Sequence, residues 1–420
     1  MNLQIRKVRY KMKLYVREKY LKKIRGFYHS EDIIKVITGV RRCGKSSLME
    51  MIADELRNSN VPESNIIFIN LDIREYRKVK TADQLEHVIE TKIQKEGLNY
   101  IFIDEIQNVK GFEEVINGFR EDGNCSIFIT GSNSYLLSGE LTTKLTGRYI
   151  EFEIYTLTFE EYEQMKVFYG YKLDSNPAIE LQNFILEGGF PRTVRIEGLE
   201  DKRSYTKSVV DEIFDKDIRK RVKIRNRESF ETVRQYIINN FGATVSIKNI
   251  YEDLRKNGQI ISRQTVTVYI KALIDAKILY ECNRFDLKSR RSLSGEKKYY
   301  LGDLSFYYAL NTDNRINYGP VLENIVYFYA RSKGGSVSVG KIGKLECDFI
   351  LRNKSMDYSY VQVAYTIALS KDTEDREYRV LEQIKDNYPK YVITTDYLLQ
   401  ERNGIKHVNL MDFMKEENVF

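Results

Sequence analysis

The chain has 420 residues, 42% of them hydrophobic and 30% charged, enough apolar mass for two to four packed domains; disordered, collagenous and low-complexity classes are excluded. No apolar run approaches the roughly eighteen residues of a membrane span, and the basic N-terminus lacks the apolar stretch of a secretory leader. Cys43, Cys125, Cys282 and Cys347 lie far apart and only three histidines occur, which speaks against a disulfide framework or a zinc site and for a cytoplasmic setting. The net charge of +7 is unevenly spread. The first thirty residues carry ten basic residues against one acidic, residues 31–160 carry 15 against 22, and residues 221–300 carry 17 against 8. An acidic middle flanked by basic segments points to a polyanionic partner.

In chain order, residues 1–30 read as a basic lead-in helix with Leu14, Val16, Tyr20, Leu21 and Ile24 at helical spacing. From 31 to 155, short β-branched runs at 33–38, 65–71, 100–104, 126–130 and 149–155 alternate with helical stretches. That alternation predicts an α/β fold with a parallel sheet covered on both faces. From 158 to 228 the runs lengthen into helices, interrupted by Pro177 and the turn Gly188-Gly189-Phe190-Pro191. Three short helices and a hairpin follow over 229–301. Beyond a turn near Asp313–Pro320 come a helix (Val321–Arg331), three strands, a helix near 372–386 and a strand at 391–395.

Gly39-Val40-Arg41-Arg42-Cys43-Gly44-Lys45-Ser46 has the GxxxxGK[ST] spacing, follows an expected strand and opens an expected helix. Glycines let successive backbone N–H groups converge on phosphate oxygens, and the helix N-terminus adds positive potential. Residues 39–46, with Ser47, are therefore the expected ATP-binding segment. Lys45 faces the β- and γ-phosphates and the Ser46 hydroxyl is a ligand for Mg²⁺. Ile101-Phe102-Ile103-Asp104-Glu105 carries Asp104 to the end of a strand, where it holds Mg²⁺ through water, and Glu105 polarises the attacking water. Ser132 or Asn133 at the end of the next strand is a candidate sensor of the γ-phosphate, with a polar helix-capping turn as the plain alternative. Arg148 is a further candidate, with a structural ion pair as its alternative.

GVRRCGKSSL, FIDEIQNV, ITGSNSYLLSGELTTKLTGR and YTLTFEEY resemble an archaeal and bacterial family of AAA+-type P-loop ATPases, and EGGFPR at 187–192 and the LEN…ECDF pattern extend the resemblance over nearly the whole chain. The resemblance implies a P-loop NTPase core (1–156), a helical lid (157–228), a winged helix-turn-helix (229–304) and a C-terminal restriction-endonuclease-like domain (305–420).

Residues 229–301 read as a winged helix on their own pattern. Helices are expected at Ser229–Asn240, Ile247–Asn257 and after Ser262. In the third, Arg263, Thr267 and Lys271 share the face opposite Val266, Ile270 and Leu273, the placement with which such helices contact duplex DNA. The hairpin over 278–301 is expected to turn at a Gly-Ser pair and to offer Arg284, Lys288, Arg290, Arg291, Lys297 and Lys298 to phosphates.

Glu323, Asp348 and Gln362 follow the layout of a PD-(D/E)xK nuclease centre, with Ala364 where a lysine would position water. Gln362 is a weak neutral ligand and alanine cannot position water, so this domain is expected to be inactive. The whole reads as an ATP-hydrolysing, DNA-binding switch of the cytoplasm that forms homo-oligomers or acts alone. The alternatives are a nucleotide-switch scaffold with a protein partner and an ATP-dependent nuclease.

Overall fold

The computed structural model describes residues 13–131, 145, 147–311 and 315–415, which form two compact units. The first comprises the described residues within 1–37, 44–131 and 140–152; the second comprises the described residues within 38–43 and 153–420. Of the expected N-terminal helix, residues 1–12 lie outside the described residues, residues 13–17 with Leu14 and Val16 are not helical, and Glu18–Ile24 forms α1, whose Tyr20, Leu21 and Ile24 are buried.

The first unit is built on a five-stranded sheet. Its elements are β1 (Ile34–Thr38), α2 (Lys45–Asn58), β2 (Ile66–Asn70), α3 (Ala82–Glu90), β3 (Asn99–Asp104), α4 (Phe112–Asp122), β4 (Cys125–Thr130) and β5 (Tyr149–Glu153). The strands lie in the order β2-β3-β4-β1-β5, with parallel ladders joining β2, β3, β4 and β1. Every residue of β1, β3 and β4 is buried, which explains their unbroken apolar sequence in place of alternation. Phe68, Phe102 and Phe128 occupy matching register positions and stack across three strands, with centroids 5.4 and 4.7 Å apart. β4 thus lies between β1 and the Asp104-Glu105 strand. All three end at one edge of the sheet, where open α/β folds bind ligands.

The second unit begins with α5 (Phe159–Phe168), α6 (Pro177–Glu187) and α7 (Leu199–Ile213), which runs into a π-helical turn at Phe214–Ile218. Thr158 and Glu161 form a capping box on α5, and Asn176 caps α6 with Pro177 in its first turn. The Gly188-Gly189 turn of the EGGFPR motif is pinned on buried Asp303, which accepts from the Gly189 N–H at 2.9 Å. A side chain at Gly188 would meet that carboxylate at 2.1 Å, and Gly188 has φ +76°, so only glycine fits.

Next come α8 (Arg227–Asn239), β6 (Thr244–Val245), α9 (Ile247–Lys256), α10 (Arg263–Asp275), β7 (Leu279–Asp286) and β8 (Arg291–Leu301). Asn226, Ser246 and Ser262 cap the three helices, the first of which starts at Arg227, two residues before the expected Ser229. The chain ends with α11 (Ser305–Leu310), α12 (Tyr318–Lys333), β9 (Ser336–Ile342), β10 (Leu345–Arg352), β11 (Tyr358–Val363), α13 (Lys371–Glu382), β12 (Lys390–Thr394), β13 (Glu401–Arg402), β14 (Ile405–Asn409) and α14 (Leu410–Lys415).

Two features differ from expectation. The hairpin does not turn at Ser294-Gly295. It turns at residues 287–290, because the Asp286 carboxylate accepts from the backbone N–H groups of Lys288 and Ser289 at 2.8 and 3.2 Å and closes the chain there. Gly295, with φ +106°, instead sits in an irregularity of β8, opposite the register shift between Asn283 and Arg284. The expected boundary at 304/305 also falls within one continuous sheet. β7 pairs in parallel with β9, giving nine strands in the order β13-β14-β12-β11-β10-β9-β7-β8-β6.

Candidate functional site

The phosphate-loop segment leaves β1 at Thr38. Gly39 has φ +146°, and a Cβ there would lie 2.2 Å from the Ile154 carbonyl and 2.7 Å from the Cys43 sulfur. Arg42 and Gly44 also have positive φ, at 70° and 109°, and Gly44 caps α2. These turns produce the tight loop at a helix N-terminus that a phosphate requires. Val40 and Cys43 are buried beneath it, Lys45 is 7% exposed, Ser46 is exposed and Ser47 half-buried.

Asp104 is 2% exposed at the end of β3. Its two oxygens accept from the Asn70 amide, at 3.0 Å, and from the Thr130 hydroxyl. The Thr130 oxygen in turn accepts the Glu105 N–H at 3.2 Å. Glu105 has φ +59°, a left-handed conformation that costs energy for a residue with a side chain, and its carboxylate accepts from Gln107 at 2.5 Å. Sequence reasoning singled out Asp104 and Glu105 but not Thr130 or Asn70, the two side chains that orient Asp104. Their signal was positional only, each being the last residue of a strand parallel to β3 or to its neighbour. Ser132 and Asn133 lie outside the described residues. Arg148 donates to Asn117 at 3.1 Å and lies 3.6 Å from Glu121, an engaged surface position.

The phosphate-loop arginines have acidic partners in the second unit, to which residues 38–43 belong. Arg41 donates to both oxygens of Asp217 and lies 3.6 Å from Glu212, while Arg42 approaches Glu212 to 3.0 Å. Burial works to raise the Glu212 carboxyl, but Lys216, Arg41 and Arg42 outweigh it and hold it below its ordinary value.

Along α10, Arg263, Thr267 and Lys271 are exposed, as are Arg290 and Arg291 beyond β7. Lys288 is exposed as well, whereas the remaining three hairpin cations are engaged. Arg284 is buried against Glu296 and Glu346, Lys297 pairs with Glu281 at 2.5 Å, and Lys298 is buried, so these three do not face solvent phosphates as expected. A charge count treats all three as exposed, but strand alternation turns Lys298 inward and Glu281 across the hairpin claims Lys297.

Glu323 on α12 and Asp348 on β10 do approach one centre, but Lys298 occupies its middle, at 2.9 Å from Glu323 and 3.7 Å from Asp348. The Gln362 side-chain oxygen is turned to the Asp348 N–H at 3.4 Å. Among the described residues no group of three or more His, Cys, Asp or Glu side chains is placed to hold a metal ion. The neighbouring Asn324 pairs with both backbone groups of Leu301, at 2.8 and 3.1 Å, so the LEN sequence fastens α12 to β8. All four cysteines are buried and none forms a disulfide. Among the described residues no helix is long and apolar enough to cross a membrane.

Residues 31–163 match the AAA domain family, and residues 179–316 match a domain of unknown function. An uncharacterized protein of Haemophilus influenzae is 34% identical over 404 residues, spanning 95% of this chain and 98% of the relative. An uncharacterized protein of Methanocaldococcus jannaschii is 31% identical over 366 residues, spanning 84% and 79%. Among solved structures, the Walker-type ATPase of Pyrococcus abyssi shares the fold, with a TM-score of 0.51 and 16% identity over 71% of this chain and 96% of that one. The chain belongs to the same family as these two relatives, and within it residues 31–163 carry the match to the AAA domain.

Proposed function

We propose that the protein is an ATP-hydrolysing switch that couples nucleotide state to contact with duplex DNA. The observation that carries the reading is the Asp104 carboxylate oriented by Asn70 and Thr130 at the end of β3, in the unit that also holds Lys45 and Ser46 at the start of α2. The tight glycine turns at 39 and 44 fit a phosphate chain, for which Lys45 and the backbone N–H groups supply positive charge. Ser46 and Asp104 are the residues that would hold Mg²⁺. ATP with its Mg²⁺ supplies the reactive phosphoanhydride and the charge that polarises it. Thr130 and Asn70 fix the Asp104 carboxylate, and the Glu105 carboxylate accepts the proton of the attacking water.

The order helix, strand, helix, helix, hairpin over 227–301 is that of a winged helix, and the exposed Arg263, Thr267, Lys271, Arg290 and Arg291 give it a cationic surface. A second reading, a scaffold whose C-terminal segments hold a protein, is favoured by the exposed loop residues Leu369, Tyr397 and Leu398. ATP turnover with and without duplex DNA distinguishes the two. DNA stimulation supports the first reading, whereas turnover indifferent to DNA and absence of salt-sensitive binding would sink it. Lys45→Ala should abolish turnover while the fold persists. Full activity in that variant refutes the nucleotide site itself.

A further inference from the structure

Three carboxylates from two elements converge at the junction of β8, β10 and α12. Glu346 and Asp348 lie two apart on β10 and therefore share a face, and Glu323 reaches them from α12. The Lys298 ammonium stands among all three, at 2.9 Å from Glu323, 3.1 Å from Glu346 and 3.7 Å from Asp348, with its own side chain only 5% exposed. We propose that Lys298 is the resident cation of this centre, taking the place a divalent metal ion would hold, so that the C-terminal half works without metal.

Each carboxylate is also held by a second protein donor. Tyr300 donates to Glu323 at 2.8 Å, Arg284 to Glu346 at 2.9 Å, and the Val363 N–H to Asp348 at 2.8 Å. Mg²⁺ requires oxygens at about 2.0–2.1 Å in near-octahedral array and Ca²⁺ at about 2.3–2.6 Å, whereas Lys298 lies at hydrogen-bond distance from Glu323 and Glu346 and at ion-pair distance from Asp348. Gln362 and Ala364 remove two groups that metal-dependent cleavage requires, and Lys298 removes the vacancy. Because Lys298 belongs to β8, the cation that closes the centre is also part of the hairpin bearing Arg290 and Arg291. It fills the centre whether or not that hairpin contacts DNA.

Terbium ion is a direct probe, since the chain has 31 tyrosines and no tryptophan and tyrosine sensitises terbium luminescence. The full chain, free of nucleotide, is titrated as wild type, Lys298→Ala, Asp348→Asn and the double variant. The wild type should show no saturable ion that depends on Asp348. Lys298→Ala should gain one, and its melting temperature should rise by roughly 5–10 °C with ion at about 100 times the dissociation constant. The double variant should lose both effects. If Lys298→Ala does not fold alone, the same expectation is read as refolding driven by added ion. A saturable ion in the wild type that Asp348→Asn removes overturns the proposal. So does a Lys298→Ala chain that the ion neither binds nor stabilises.

Discussion

Arg41 of the phosphate-loop segment and Asp217 of the π-helical turn meet fork to fork, with both N–O distances at 2.9 Å and both side chains nearly enclosed. A bidentate pair of this kind fixes geometry as well as charge. The π-helical turn adds weight, since such turns gather at functional sites and the chain runs on from it toward α8. Removing one partner strands a buried charge, which costs about 3–5 kcal/mol, whereas removing both costs far less. We expect Asp217→Ala to lower the melting temperature more than the Arg41→Ala/Asp217→Ala double variant does. A double-mutant cycle on thermal unfolding measures the coupling, and additive effects would show that the pair contributes nothing.

Thr130 joins the two halves of the acidic site. Its hydroxyl donates to Asp104, and its oxygen accepts the N–H of Glu105. Thr130→Val keeps the shape but deletes both bonds, leaving a buried carboxylate misdirected. ATP turnover should fall by about 10–100-fold, the usual loss when a group orienting a metal ligand is removed. Nucleotide affinity without Mg²⁺ should change little. Undiminished turnover would show that Asp104 needs no such support.

The contrast between Thr130 and Asp104 indicates what the sequence could disclose. The phosphate loop and Asp104-Glu105 are contiguous motifs whose strand and helix context is local, and the capping residues Ser246 and Ser262 announce their helices within three residues. Thr130 reads from sequence as one more β-branched strand residue, because its function depends on a neighbouring strand. Lys298 was still less legible. Its partners lie 25 and more residues away on α12 and β10, and its place in a basic run suggested solvent. The hairpin turn went astray for a local reason, since the side-chain turn at Asp286 outcompeted the more conspicuous Gly295.

Lys35 gives the first unit a pH dependence. It is fully buried in β1, and its ammonium donates to the carbonyls of Ser30 and Ile33 at 2.7 and 3.0 Å and to Ser126 at 2.8 Å. Burial pushes its pKa down to about 7, against a weaker pull upward from Asp32. An unfolded lysine titrates near 10.4. Between those values the unfolded chain binds a proton that the folded chain lacks, so stability should rise with pH across the window, by up to about 1.4 kcal/mol per pH unit. Below pH 7 both states are protonated and the contribution is flat. Melting temperatures of wild type and Lys35→Met from pH 6 to 10 isolate this one group. A difference between them that does not vary with pH would refute the assignment.

The division of the hairpin cations into exposed and engaged sets makes the DNA reading quantitative. Each side chain that neutralises a phosphate adds about 0.9 to the negative slope of log affinity against log salt. Replacing Arg263, Lys271, Arg290 and Arg291 together by alanine should therefore flatten the slope by about 3–4. Lys297→Met should leave it unchanged, because Lys297 is held by Glu281 at 2.5 Å and is not available to a phosphate. Fluorescence anisotropy on labelled duplex DNA over a salt series reads both. An equal loss from the Lys297 variant would mean that the hairpin rearranges on binding. An unchanged slope in the fourfold variant would place the polyanion-binding surface elsewhere, the basic N-terminal thirty residues being the next candidate by charge.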